Sequence, residues 1–83
     1  MRQSLTYGEM PEKDDFLLAV EEETDGCKYR IRAYNSSDPA VRHADGDYTA
    51  EELYNLVNLL SCGDEASQDL ACSILFTLGF EWI

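Results

Sequence analysis

Positive charge is absent from the second half of this chain. The 83 residues carry 17 acidic and only 6 basic side chains, for a formal net charge of −11, and all six bases lie within residues 1–46. A segment as long as residues 47–83 would ordinarily contain roughly four or five lysines or arginines. Such a charge disfavours nucleic acids and anionic membranes as direct partners, and it favours basic protein surfaces.

Long apolar runs and paired cysteines are also missing. No stretch approaches the ~18 consecutive apolar residues that would span a bilayer, and residues 1–15 lack the apolar segment of a secretory signal. The three cysteines, Cys27, Cys62 and Cys72, form no CxxC pair, which is typical of free thiols in a reducing cytosol. We therefore expect residues 1–83 to form a single small acidic domain in the cytoplasm.

Residue patterns that carry catalysis or bind cofactors are scarce. The only histidine, His43, and the three cysteines are zinc-ligand types, but they are scattered without paired spacing. Residues 45–52 resemble a calcium loop only weakly, because Ala50 stands where the sharp-turn glycine belongs. The five glycines form no phosphate-binding loop. We expect no enzyme activity, no cofactor and no metal.

Residues 16–34 have the pattern of an antiparallel β-hairpin. Asp25 and Gly26 favour the positive φ angles of a two-residue type I′ turn. One face of this hairpin would be apolar: Phe16, Leu18, Val20, Tyr29, Ile31 and Ala33. The other face would pair acids with bases: Glu21 and Glu23 with Lys28, Arg30 and Arg32. A third strand is predicted near the N-terminus, within residues 4–8.

The remainder predicts two helices. Thr49 and Glu52 form a capping box at the start of the first helix, and Gly63 ends it. Asp64 caps the second helix, which ends at Gly79. Because the connection is tight, we predict an αα-hairpin packed on one face of the sheet, and hence an α+β fold. The long loop of residues 35–47 either is functional or contains an element near residues 40–42, and residues 80–83 form a short strand or a packed tail.

Helix chemistry explains only part of the acidity. Carboxylates are favourable at helix N-termini, yet neither predicted helix carries a base in its last turn, where one is usual. The size and charge of the chain are similar to those of small phage-encoded anti-restriction and anti-CRISPR proteins. That likeness is one of size and charge only. The hypothesis follows from the acids themselves: an acidic inhibitor that mimics nucleic acid and occupies a basic nucleic-acid-binding surface of an enzyme. The predicted contact residues are Asp45, Asp47, Glu51, Glu52, Asp64, Glu65 and Asp69, with Phe76 as an apolar anchor.

The aromatic residues favour an alternative. Phe76 lies off the apolar stripe of the second helix, and Phe80 and Trp82 follow it closely; they are either core residues or contacts. If they are contacts, the protein would be an obligate assembly partner, either a homodimer subunit or an antitoxin-like binder. Its affinity would then be insensitive to salt, whereas that of a nucleic-acid mimic would fall as salt rises. A small enzyme or ligand carrier is the third hypothesis.

Overall fold

The computed structural model describes residues 4–6, 9–25, 28–32 and 36–82. Four helices and four short strands follow one another along these segments. In chain order they are β1 (Ser4–Leu5), α1 (Lys13–Thr24), β2 (Tyr29–Ile31), α2 (Pro39–Arg42), β3 (Gly46–Tyr48), α3 (Ala50–Ser61), α4 (Glu65–Thr77) and β4 (Glu81–Trp82). The predicted α+β class is confirmed.

The strands form two separate two-stranded sheets. Strands β2 and β3 are antiparallel, with Arg30 opposite Asp47. Strands β1 and β4 are parallel, with Ser4 opposite Glu81. The predicted N-terminal strand and the short C-terminal strand are therefore both present, and they pair with each other.

The predicted β-hairpin over residues 16–34 is wrong. Residues 13–24 form helix α1, and β2 pairs with β3 instead. Phe16 and Val20 are four residues apart, so a helix buries both of them as readily as a strand would. Leu18 distinguishes the two structures, because it is 51% exposed where a strand would have buried it. Asp25 does adopt a positive φ of 52°, but as the left-handed cap of α1.

The predicted αα-hairpin is confirmed. The Thr49 backbone N–H donates to Glu52 Oε1 (3.0 Å), and the Glu52 N–H donates to Thr49 Oγ1 (3.3 Å), which completes the capping box of α3. Asp64 Oδ1 accepts from the Ser67 N–H (2.9 Å) and caps α4. Between the helices stands Gly63, where an added Cβ would lie 2.8 Å from the Cβ of Ser67.

Helix α4 ends in a Schellman motif that turns the chain back onto the core. Gly79 has a φ of 95°, and its N–H donates to the Phe76 carbonyl (3.0 Å), while the Phe80 N–H donates to the Leu75 carbonyl (3.0 Å). The side chains of Leu75 and Phe80 are both buried. Of the two alternatives for Phe80, core residue or contact, the structure therefore shows the core residue.

Helix α2 is the element predicted near residues 40–42 of the long loop. Asp38 caps it by accepting from the Ala40 N–H (2.8 Å), and Pro39 occupies the first turn. Val41 and the following Ala44 are buried. The segment therefore contributes to the core instead of forming an open loop.

Helices α1 and α3 run antiparallel. The rings of Phe16 and Tyr54 meet edge to face, with centroids 5.4 Å apart, and the Ser61 hydroxyl lies 3.6 Å from the sulfur of Met10. Helix α3 therefore packs against both α1 and α4.

The radius of gyration is 11.7 Å, close to the ~11.8 Å expected for a compact chain of this length. Over the described part of the chain, every helix is too short or too polar to cross a membrane.

Candidate protein-binding surface

Helix α1 is the most acidic element in the described structure. Five of its twelve residues are acids: Asp14, Asp15, Glu21, Glu22 and Glu23. All five are exposed, as are Glu12 before the helix and Asp25 after it. None of these carboxylates was in the predicted site, because a hairpin was predicted here, with Glu21 and Glu23 paired with bases. A run of strong helix formers, leucine, alanine and glutamate, was the signal that could have identified the helix.

The acids in the last turn of α1 are unfavourably placed for a helix. Glu21, Glu22 and Glu23 lie at the C-terminal end, where the unsatisfied carbonyls carry a partial negative charge that favours cations. Helices α1, α3 and α4 all lack a base in their last turn. Local helix chemistry therefore does not account for these charges.

Two of the predicted contact residues are paired with bases of this chain. Arg30 Nε donates to Asp47 Oδ1 (2.9 Å) across strands β2 and β3. This hydrogen bond, together with the positive charge of Arg30, lowers the pKa of Asp47. The same bond, followed by the negative charge of Asp47, raises the pKa of Arg30. Lys13 Nζ lies 3.5 Å from Glu51 Oε1 and 5.7 Å from the centre of the Tyr54 ring. The bases thus neutralise neighbouring acids.

Two further predicted residues serve as helix caps. Glu52 accepts from the Thr49 backbone N–H, and this bond lowers the pKa of its carboxyl. Asp64 caps α4. Both carboxylates are exposed, so each remains accessible from solvent while it holds its helix start. Asp45, another predicted residue, is exposed between α2 and β3.

The outer side of α4 brings the remaining predicted residues onto one face. Glu65, Asp69 and Phe76 are all exposed, and their spacing places them along one side of the helix. Ala71, Ile74 and Leu75 on the other side are buried. The Phe76 side chain is 72% exposed. The side chain of Trp82 lies outside the described part of the structure.

An open cleft lies beside Phe76. Its lining residues are Cys72, Ser73, Phe76, Thr77 and Glu81. It therefore places an aromatic ring and a carboxylate from the next element, β4, around one space. Glu81 was not among the predicted contact residues, because the sequence does not indicate where the Schellman turn places β4 relative to α4.

A cluster around Ser67 was also missed. Ser67 is buried; its hydroxyl donates to Asp38 Oδ2 and its N–H donates to Asp64 Oδ1. The hydrogen bond from Ser67, followed by that from the Ala40 N–H, lowers the pKa of Asp38. The cluster joins the cap of α2 to the cap of α4, so its role is structural.

The described residues offer no metal site: no three His, Cys, Asp or Glu side chains among them are grouped to hold an ion. Cys62 is exposed and Cys72 is partly buried, and neither forms a disulfide. Cys27, the third cysteine, lies outside the described residues. No protein-family model matches the chain, and comparisons with curated proteins and with solved structures find no similar protein.

Proposed function

We propose that this protein is a non-enzymatic inhibitor that mimics nucleic acid and binds the basic nucleic-acid-binding surface of an enzyme. The observation that carries the proposal is the exposed acidic helix α1, and above all Glu21, Glu22 and Glu23 in its last turn. Carboxylates there oppose the helix dipole. A role outside folding would explain carboxylates placed where the helix dipole disfavours them.

The density of negative charge supports the same proposal. The molecule measures 32 × 29 × 16 Å, and a DNA duplex 32 Å long carries roughly 19 phosphate charges. The net charge of −11 is therefore more than half that of a duplex of the same length. A basic groove that binds DNA would attract this protein through the same long-range field.

Two of the chain's own bases are paired with acids, which also supports the proposed function. Arg30 lies against Asp47 and Lys13 against Glu51, so these cations do not present a positive patch that would repel a basic partner. Exposed ion pairs contribute little to stability. Because the chain has 17 acids and only 6 bases, most acids remain after these pairs are formed.

The assembly alternative has lost one of its three aromatics, because Phe80 is buried in the core. Phe76 remains available to either kind of partner. The two proposals differ in their response to salt, since binding by exposed charges is screened within about 8–10 Å at physiological ionic strength, whereas burial of apolar surface is not.

The test is a tagged pull-down from lysate of the source cell at low and high salt, read by mass spectrometry. Each captured enzyme is then purified and assayed on its nucleic-acid substrate with and without this protein. We expect inhibition that weakens as salt rises and that excess duplex DNA relieves. Recovery of the protein alone, or of one salt-resistant partner that it does not inhibit, would favour the assembly alternative.

Two variants make the assay specific. Replacing Glu21, Glu22 and Glu23 by Gln should weaken inhibition while keeping side-chain length. The control is Asn55→Gln with Asn58→Gln on the exposed side of α3, which changes no charge and should leave inhibition unaltered.

A further inference from the structure

We propose that the cleft at the end of α4 binds an arginine side chain of the partner protein, with the guanidinium stacked on the ring of Phe76 and ion-paired to Glu81. This inference rests on the proposed function for the source of the arginine, which is the basic surface of the inhibited enzyme. It identifies which part of the molecule makes a specific contact, beyond the general attraction of the acids.

The exposure of Phe76 has no explanation within the fold. Its neighbour Leu75 and the returning Phe80 are both buried and complete the core at this end of α4, whereas Phe76 is 72% exposed on the opposite side. The ring therefore offers one apolar, electron-rich face to solvent. Aromatic anchors of this kind are enriched at protein interfaces.

The charge around the ring favours a cation. Glu81 lines the same cleft, and the last turn of α4 contains no base. The C-terminal end of a helix also carries a partial negative charge, which adds to the attraction for a positive group. The described lining residues include no lysine, arginine or histidine, so an anionic ligand would find no counter-charge there.

Arginine fits this cleft better than lysine. Its planar guanidinium stacks on aromatic rings and is more weakly hydrated than an ammonium group. It also forms two parallel hydrogen bonds with one carboxylate. The hydroxyl of Thr77 is hydrogen-bonded within the protein, to the Ser73 carbonyl (2.9 Å) and to the side chain of Tyr29, so Phe76 and Glu81 are the groups that would contact the guanidinium.

The test compares two peptides of equal charge, hexa-arginine and hexa-lysine, by titration calorimetry and by amide shift mapping in NMR. We expect hexa-arginine to bind more tightly and to shift the amides of Phe76, Thr77 and Glu81 most. Phe76→Leu, which keeps an apolar side chain but removes the ring, should lower hexa-arginine affinity about two- to five-fold and leave hexa-lysine nearly unchanged.

Charge variants separate this site from general attraction. Glu81→Gln should weaken hexa-arginine binding more than Asp15→Asn, which removes an equal charge from α1. Equal effects of these two variants, or an arginine preference that survives Phe76→Leu, would overturn the inference. Thermal melts confirm that each variant is folded.

The outcome is separable from that of the proposed function. Inhibition of a captured enzyme that is lost with the α1 variants but unaffected by Phe76→Leu would support the mimic and overturn the arginine site. If the cleft prefers arginine but the protein inhibits no captured enzyme, the arginine site would be supported and the mimic overturned.

Discussion

Ser67 leaves no room for a side chain at Gly63, in the turn that joins α3 to α4. A Cβ added at Gly63 would lie 2.8 Å from the Cβ and 2.9 Å from the hydroxyl oxygen of Ser67. Ser67 is itself buried and holds the caps of two helices through Asp38 and Asp64. The absence of a side chain at Gly63 therefore permits the polar cluster that fixes α2 and α4 together.

Gly63→Ala should destabilise the protein by about 1–3 kcal/mol, the usual cost of overpacking. Urea denaturation measures it. Because the clash is with one side chain, Gly63→Ala should cost less in a chain that already carries Ser67→Gly, giving a coupling above about 0.5 kcal/mol in a double-mutant cycle. Strict additivity of the two substitutions would show that the helices separate freely at this turn.

The second half of the fold could be predicted because its signals are local. Thr49 with Glu52, Asp64, and Gly79 each specify a helix end through hydrogen bonds within a few residues. The pairing of Ser4 with Glu81 has no such signal, since it depends on the whole chain folding first.

The prediction for the first half was wrong because of one dipeptide, Asp25-Gly26. Asp25 needs a positive φ in both a tight hairpin turn and a left-handed helix cap, so the Asp-Gly pair did not distinguish them.

Phe76 was predicted to lie off the apolar stripe of α4, and its exposure agrees with that position. The ion pairs of Asp47 and Glu51 were not foreseen, because each joins segments that are far apart in the sequence, Arg30 with Asp47 and Lys13 with Glu51.

Leu18 distinguishes helix α1 from the predicted hairpin. In helix α1 it is 51% exposed, so Leu18→Gln should change the free energy of unfolding by no more than about 0.5 kcal/mol. The matched control is Val20→Ala, which empties a buried site and should cost about 1–3 kcal/mol. A larger loss of unfolding free energy for Leu18→Gln than for Val20→Ala would contradict the helix and favour the hairpin.

The Asp38 carboxylate should make stability depend on pH. Hydrogen bonds from Ser67 and Ala40 lower its pKa in the folded state below the ordinary 3.8, so the unfolded chain binds the proton more readily. The stabilisation is therefore complete above the unfolded pKa and is lost as pH falls through the folded pKa.

Asp38→Asn removes the charge but keeps a capping oxygen. We expect its melting temperature to fall below that of the unmodified protein at pH 7, and the difference to shrink as the pH drops below about 4. Ser67→Ala removes the main donor and should reduce the same difference. A gap that is constant from pH 7 to pH 2 would mean that the charge of Asp38 does not contribute.

Salt should stabilise the folded chain. At about 10 mM ionic strength the screening length is ~30 Å, close to the 32 Å longest dimension, so charges across the whole molecule repel one another. At about 150 mM it is ~8 Å. We expect the melting temperature to rise between these conditions for a net charge of −11. A fall would show that the exposed ion pairs outweigh the repulsion.

The three glutamates that end α1 should affect stability and inhibition in opposite directions. Replacing Glu21, Glu22 and Glu23 by Gln reduces the net charge from −11 to about −8 and removes carboxylates from the negative end of the helix dipole. We expect unfolding to become harder by about 0.5–2 kcal/mol, measured by urea denaturation. Glu65→Gln, in the first turn of α4, is the control of opposite sign, because there the dipole favours the carboxylate. A more stable triple variant that inhibits its enzyme less would show that these charges are kept for binding at the expense of the fold; a less stable one would assign them a structural role.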